Sequence, residues 1–209
     1  YFVMRHGEAE NNALDIYSSD PNKHHLTEQG RLEVGEAIPG LQDKKITKIY
    51  SSPYLRTRET AEMVADKLGF AKDAINYDER IRELEFGKLS WRSTKEYREY
   101  ISTGKMFDFD TVLPGGESFQ DGKDRIGDFL YEIDTQSKNE NILIVTHGLG
   151  VEVIPAIIES ADKKRTLEIF YEQAQNKTGE VHSEKEFVPL PHNAKYELDL
   201  HKPYIDNVK

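Results

Sequence analysis

The run Ile142-Leu143-Ile144-Val145-Thr146, closed by His147-Gly148, is the feature that most constrains this chain. It reads as a short buried strand, and Tyr1 to Met4, leading into Arg5-His6-Gly7-Glu8, reads as another. In both, a histidine ends the apolar stretch and a glycine follows it. In an open α/β sheet, ligands bind where strands end and loops begin. Two imidazoles at two such ends, one of them beside Arg5, make a pocket suited to a phosphate.

The rest of the chain alternates strands with helices, which indicates an α/β fold: three layers around a mainly parallel central sheet. Ile46 to Ser52 reads as a strand. Ala61, Val64, Ala65 and Leu68 fall at helical spacing, with Gly69 placed as the cap. A helix begins near Leu26-Thr27-Glu28-Gln29-Gly30. Ser93 and Glu96 form a capping box that predicts a short helix to about Gly104. Pro114-Gly115-Gly116 is a turn, Ser118 a helix cap, and Phe119, Ile126, Leu130 and Ile133 make an apolar stripe on a long helix. An apolar helix follows His147 to about Ile158, and Ala194 to Leu200 alternates as an edge or final strand.

Length and charge narrow the class of function. With 209 residues the whole of 1–209 is read as one domain. A net charge of -10 argues against a general nucleic-acid or anionic-membrane binder, since both need a basic face. There is no cysteine, so disulfides and thiolate metal sites are excluded. No apolar run approaches the roughly 20 residues needed to span a bilayer. No signal peptide is read in these residues; the chain opens on Tyr1, so an upstream segment is expected, and a cytoplasmic location is carried as the default. Nothing in the pattern speaks to oligomeric state.

Six motifs occur in order: Arg5-His6-Gly7-Glu8 with Asn12; Leu26-Thr27 with Gly30; Ser51-Ser52-Pro53 with Arg56 and Thr60-Ala61; Arg82-Glu83; Pro114-Gly115-Gly116-Glu117-Ser118; and Thr146-His147-Gly148. Any one is weak alone. Together, from about Tyr1 to Ile158, they resemble the histidine phosphatase superfamily, in the branch that includes cofactor-dependent phosphoglycerate mutases and many small phosphatases.

The resemblance implies that His6 is the nucleophile, forming a phosphoenzyme that splits one hard step into two easier ones. It implies that Arg5, Arg56 and His147 grip the phosphoryl group, with Asn12 and Gly148 as further contacts, and that Glu83 is the acid/base. Arginine offers paired N–H donors matched to phosphate oxygens, and Arg5 should help keep His6 neutral. Glu85, two residues on, is the rival for the proton donor; the Arg-apolar-x-Glu lead and Phe86-Gly87 favour Glu83. A bell-shaped, mildly acidic pH profile follows, limited by His6 protonation below and loss of the Glu83 proton above. No metal or other cofactor is required, and a phosphorylated small molecule is the expected substrate.

Two other readings use the same residues: a phosphomutase that holds phospho-His6 until the product rebinds, and a non-catalytic phosphate-binding module. The tract after Glu83 lacks the glycine-rich run that mutases of this family carry, which argues against the first. All four phosphate-site histidines and arginines are present, which argues against the second. The insertions at about 88–113 and 159–192 are the expected walls and lid of the pocket. His24, His25, His182, His192 and His201 have no ligand spacing and are expected to be exposed. Lys163, Lys164, Arg165, Lys177 and Lys185 are expected on a solvated surface.

Overall fold

The centre of the molecule is set by the strand buried on both sides. In the computed structural model, which describes residues 1–97, 109–166, 168–169 and 195–197, all five residues of Ile142–Thr146 are buried. Successive side chains of a strand point to opposite faces. Ile142 and Ile144 therefore enter one core, while Leu143 and Val145 enter the other. Four consecutive apolar residues suit such a central strand, and the one polar member, Thr146, is satisfied by donating its hydroxyl to Ile81 O at 2.7 Å.

The elements follow as β1 (Phe2–Arg5), α1 (Glu10–Ala13), α2 (Glu28–Ala37), α3 (Pro39–Gln42), β2 (Lys48–Ser51), α4 (Leu55–Leu68), β3 (Ile75–Tyr77), α5 (Phe119–Gln136), β4 (Ile142–Thr146), α6 (Gly148–Ile158) and β5 (Lys195–Glu197). The sheet order is β3-β2-β4-β1-β5. The first four strands are parallel, and β5 closes the edge antiparallel to β1. Val34 and Ala37 of α2 and Ala61, Val64 and Ala65 of α4 pack with Met4 and Ile49 on one face. Ile126, Phe129, Leu130 and Ile133 of α5, with Val153 and Ile154 of α6, pack with Val3 on the other. This is the three-layer α/β arrangement expected from the pattern.

The helix ends agree with the local chemistry. Thr27 caps α2, its hydroxyl oxygen accepting from Gly30 N at 3.0 Å. Ser118 and Asp121 cap each other at the start of α5. Gly69 ends α4 with φ of 81°, a left-handed conformation that glycine adopts at little cost. The Ser93–Glu96 box is formed, and the helix it opens starts at Thr94; its expected continuation to Gly104 lies outside the described residues.

The strand end at His6 is held by a close backbone approach. Thr27 N donates to Glu8 O at 3.0 Å, and Thr27 Oγ1 donates to the Glu8 carboxylate at 2.7 Å. At this crossing a Cβ on Gly30 would overlap the Glu8 carbonyl, and one on Gly7 would overlap the Gly30 carbonyl. Gly30→Ala is therefore expected to destabilise the fold by about 1–3 kcal/mol, the usual range for forced overpacking. Urea unfolding measures this, and an unchanged midpoint would mean that the crossing yields without strain.

Candidate active site

Parallel register brings the two histidines together. Arg5 pairs with Thr146 and Ser51 with Val145, so His6, His147 and Ser52 each follow a strand at the same level. His6 N donates to Thr146 O at 3.0 Å, and Ser52 N donates to Val145 O at 3.0 Å. The His6 and His147 rings lie 5.2 Å apart, edge to face.

The tautomer of His6 is set by its neighbours. Nδ1 lies 2.7 Å from Gly7 O and must carry the proton to donate there. Nε2 accepts from Arg56 Nε at 3.2 Å, so its lone pair is directed at the guanidinium. Arg56, on the first turn of α4, is 1% exposed. Its Nη2 donates to Ser18 O at 3.2 Å. Burial above all lowers its pKa to about 10, with the Glu83 and Tyr54 charges opposing that shift.

His147 is fully buried behind these groups, with Nε2 2.8 Å from Ser52 Oγ. Burial, then the charges of Arg56, His6 and Arg5, holds its pKa well below the ordinary value of 6.5. The unfolded imidazole takes a proton below pH 6.5 while the folded one stays neutral. The unfolded chain thus binds more protons in that window, so this contribution to stability is complete above about pH 6.5 and is lost as the pH falls below it. The urea midpoint is expected to fall between about pH 7 and about pH 5.5, and His147→Gln to flatten that slope. A slope unchanged in the variant would assign the effect to other groups.

A cavity of about 230 Å³ opens at these strand ends, lined by Arg5, His6, Asn12, Arg56 and Glu83 among others. His147 and Gly148 stand behind it and do not line it. Among the described residues, three buried nitrogens around it lack a hydrogen-bond partner: Arg5 Nε, Arg56 Nη1 and His147 Nδ1. Asn12 Oδ1 accepts from Ala9 N at 3.0 Å, which leaves the amide nitrogen as its donor toward the cavity.

The two rival carboxylates separate clearly. Glu83 lines the cavity and accepts from three backbone N–H groups: Leu84 at 2.9 Å, Leu149 at 3.2 Å and Gly148 at 3.2 Å. It thus occupies the N-terminus of α6, and the Gly148 N–H is engaged by it. Glu85 is turned away. Its Oε1 accepts from Ser19 Oγ at 2.6 Å and from Gly87 N at 3.2 Å, and it does not line the cavity.

Further lining residues have no mark in the local sequence: Asn11, Asp15, Ile16, Tyr17 and Thr94. They meet because residues 15–17 pair with residues 91–94. Ile16 bridges Ser93, Trp91 N donates to Tyr17 O, and Thr94 N donates to Asp15 O. Thr94 is the contribution of the 88–113 tract; most of 159–192 lies outside the described residues. Ser52 belongs to a motif already singled out, and its place beside His147 could have been read from the register.

One expectation is corrected. His24 is 5% exposed rather than solvated. The loop before α2 folds back toward Arg56, setting His24 Nε2 3.0 Å from Ser18 Oγ and its ring 4.9 Å from that of Trp91. Burial, then the Arg56 charge, lowers its pKa. His25 is exposed and pairs with Glu59, while His182, His192 and His201 lie outside the described residues. Lys163 and Arg165 meet surface carboxylates. Among the described residues no cluster of His, Asp and Glu could hold a metal ion, and no helix is long and apolar enough to cross a membrane.

Residues 1–185 match the family model of the histidine phosphatase superfamily, branch 1. A Salmonella choleraesuis protein named "Probable phosphoglycerate mutase GpmB" is 33% identical over 170 residues, which covers 75% of this chain and 73% of that protein. Among solved structures, Bacillus stearothermophilus YhfR superimposes with a TM-score of 0.67 at 26% identity, covering 79% of this chain and 82% of that one. A mycobacterial glucosyl-3-phosphoglycerate phosphatase, in complex with VO3, shares the fold with a TM-score of 0.68 at 20% identity, covering 79% and 82%. By sequence and by fold, the chain belongs to branch 1 of the histidine phosphatase superfamily.

Proposed function

We propose that this protein is a metal-independent phosphomonoesterase that works through a covalent phosphohistidine on His6. The observation that carries the reading is the set of buried, unpaired nitrogens of Arg5, Arg56 and His147: Arg5 and Arg56 line the cavity with His6, Arg56 against its Nε2, and the His147 ring stands 5.2 Å from that of His6. Buried donors without partners are costly, and an anion's oxygens satisfy them. An incoming phosphate draws the Arg56 N–H groups onto its oxygens and frees the Nε2 lone pair. Nε2 then attacks phosphorus in line: the N–P bond forms, the ester P–O bond breaks, and the Glu83 carboxyl gives its proton to the departing oxygen. Glu83, now ionised, takes a proton from water as the water oxygen attacks phosphorus and the N–P bond breaks. When Glu83 turns to the leaving group it releases the Gly148 N–H, which becomes one more donor to the transferring group.

A phosphomutase is the second reading, favoured by the name of the Salmonella relative. Such an enzyme must also hold the carboxylate of its sugar acid. Among the described residues, the cations lining the cavity are Arg5 and Arg56, both committed to the phosphoryl group, while Asp15 adds a negative charge to the wall. The lining therefore favours a small substrate whose leaving group carries no acid.

The deciding experiment measures phosphate release from para-nitrophenyl phosphate with EDTA present, from about pH 4.5 to about pH 8, beside phosphoryl exchange between mono- and bisphosphoglycerate. Release to water without exchange is expected. Exchange without release would replace this reading with the mutase, and neither would leave a binding module.

A further inference from the structure

We propose that Arg125 is the positioning residue for the acid/base step: it clamps the 80–83 backbone to α5 and so sets where the Glu83 carboxylate stands. This rests on the Glu83 reading above. Apart from a single turn at Glu79–Ile81, the segment carrying Glu83 has no helix or strand of its own; Ile81 O accepts from Thr146 Oγ1 of β4 at 2.7 Å, and the carbonyls of Arg80, Arg82 and Glu83 need another donor. Arg125 supplies that donor. Its Nη1 donates to Arg80 O at 2.7 Å and Arg82 O at 3.0 Å, and its Nη2 to Glu83 O at 3.0 Å. The remaining donors reach Glu117: Nε to Oε1 at 3.0 Å and Nη2 to Oε2 at 3.0 Å. All five N–H donors of a guanidinium are thereby used, three of them on carbonyls of one short segment.

Glu117 closes the clamp from the other side. It also accepts from Glu85 N at 3.0 Å and pairs with Arg82. Burial opposes the Glu117 charge, but the Arg125 hydrogen bonds and charge outweigh it, so its pKa lies below the ordinary value. Arg125 does not line the cavity, and none of its hydrogen bonds reaches the elements that carry Arg5, His6, Arg56 or His147. Loosening it should therefore displace the proton donor and leave the phosphate grip in place.

That asymmetry has a readout that misfolding does not imitate. An alkyl phosphate has a poor leaving group that needs the proton, whereas para-nitrophenolate leaves with little help. The ratio of kcat/KM for para-nitrophenyl phosphate to that for glycerol phosphate is compared among the wild type, Glu83→Gln and Arg125→Gln. A loss of folded enzyme lowers both values equally and leaves the ratio unchanged. The ratio is expected to rise in Glu83→Gln, and to rise about tenfold or more in Arg125→Gln. Glu117→Gln, which keeps the size of the side chain, is expected to shift it in the same direction and serves if Arg125→Gln does not fold. A raised ratio in Glu83→Gln with an unchanged ratio in the clamp variants overturns the positioning role alone. No change in Glu83→Gln overturns the acid/base assignment, and the positioning role with it.

Discussion

On the proposed mechanism, His6→Ala is expected to lower phosphate release by roughly three orders of magnitude or more, because it removes the atom proposed to form the covalent intermediate. Nε2 is held by two constraints that do not involve substrate: the Gly7 carbonyl takes the Nδ1 proton, and the Arg56 N–H points at the lone pair. His6 is 2% exposed, so packing restrains the ring as well. A phosphohistidine is labile in acid and stable in alkali. Wild-type enzyme quenched in alkali during turnover is expected to carry phosphate on a peptide containing His6, and His6→Ala to carry none. Glu83→Gln should accumulate the label with para-nitrophenyl phosphate, since the leaving group departs unaided while the water lacks a base. Label retained in His6→Ala, or turnover within about tenfold of wild type, would remove His6 from the role.

The pairing of the two histidines was legible because its cause is local and periodic. Each histidine ends an apolar run, and parallel strands in register deliver their ends to one place. The caps at Ser93 and Ser118 were legible for the same reason, since their partners lie within three residues. β3 was not: Ile75-Asn76-Tyr77 buries one side chain of three, too little alternation to rise above the surrounding polar chain. The cavity wall was not, because Asp15 and Thr94 meet through a backbone ribbon that no composition announces. Arg125 was hidden for a further reason. On α5 it looks like one more polar residue among Lys123, Asp124 and Asp128, and its partners are carbonyl oxygens, which have no letter in the sequence. His24 was misplaced on the same ground: the hydroxyl of Ser18 and the ring of Trp91 bury it, and neither is a residue type that predicts a contact.

Arg56→Met is expected to cost activity and to spare or raise stability. Arg56 is almost fully buried, and its neighbours are a neutral imidazole, the Ser18 carbonyl and the face of Tyr54 5.2 Å away. Nη1 has no partner. Removing a guanidinium from water costs several kcal/mol unless charge and hydrogen bonds offset it, and here the offset is incomplete. Its pKa, lowered to about 10 with burial as the leading cause, records the same imbalance. Methionine fills much of the volume without the charge. Leaving the Ser18 carbonyl without its donor costs about 1–3 kcal/mol, less than the desolvation removed. The variant should melt at or above the wild-type temperature, by about 2–4 °C for each kcal/mol released. Its kcat/KM should fall by roughly 100- to 1000-fold, the usual loss when one preorganised donor to a transferring group is removed. Inorganic phosphate should raise the melting temperature of the wild type and not that of the variant, because the anion supplies the partner that folding leaves out. A variant that melts well below wild type, with phosphate stabilising both alike, would show instead that Arg56 supports the fold and that the phosphate is held by other groups.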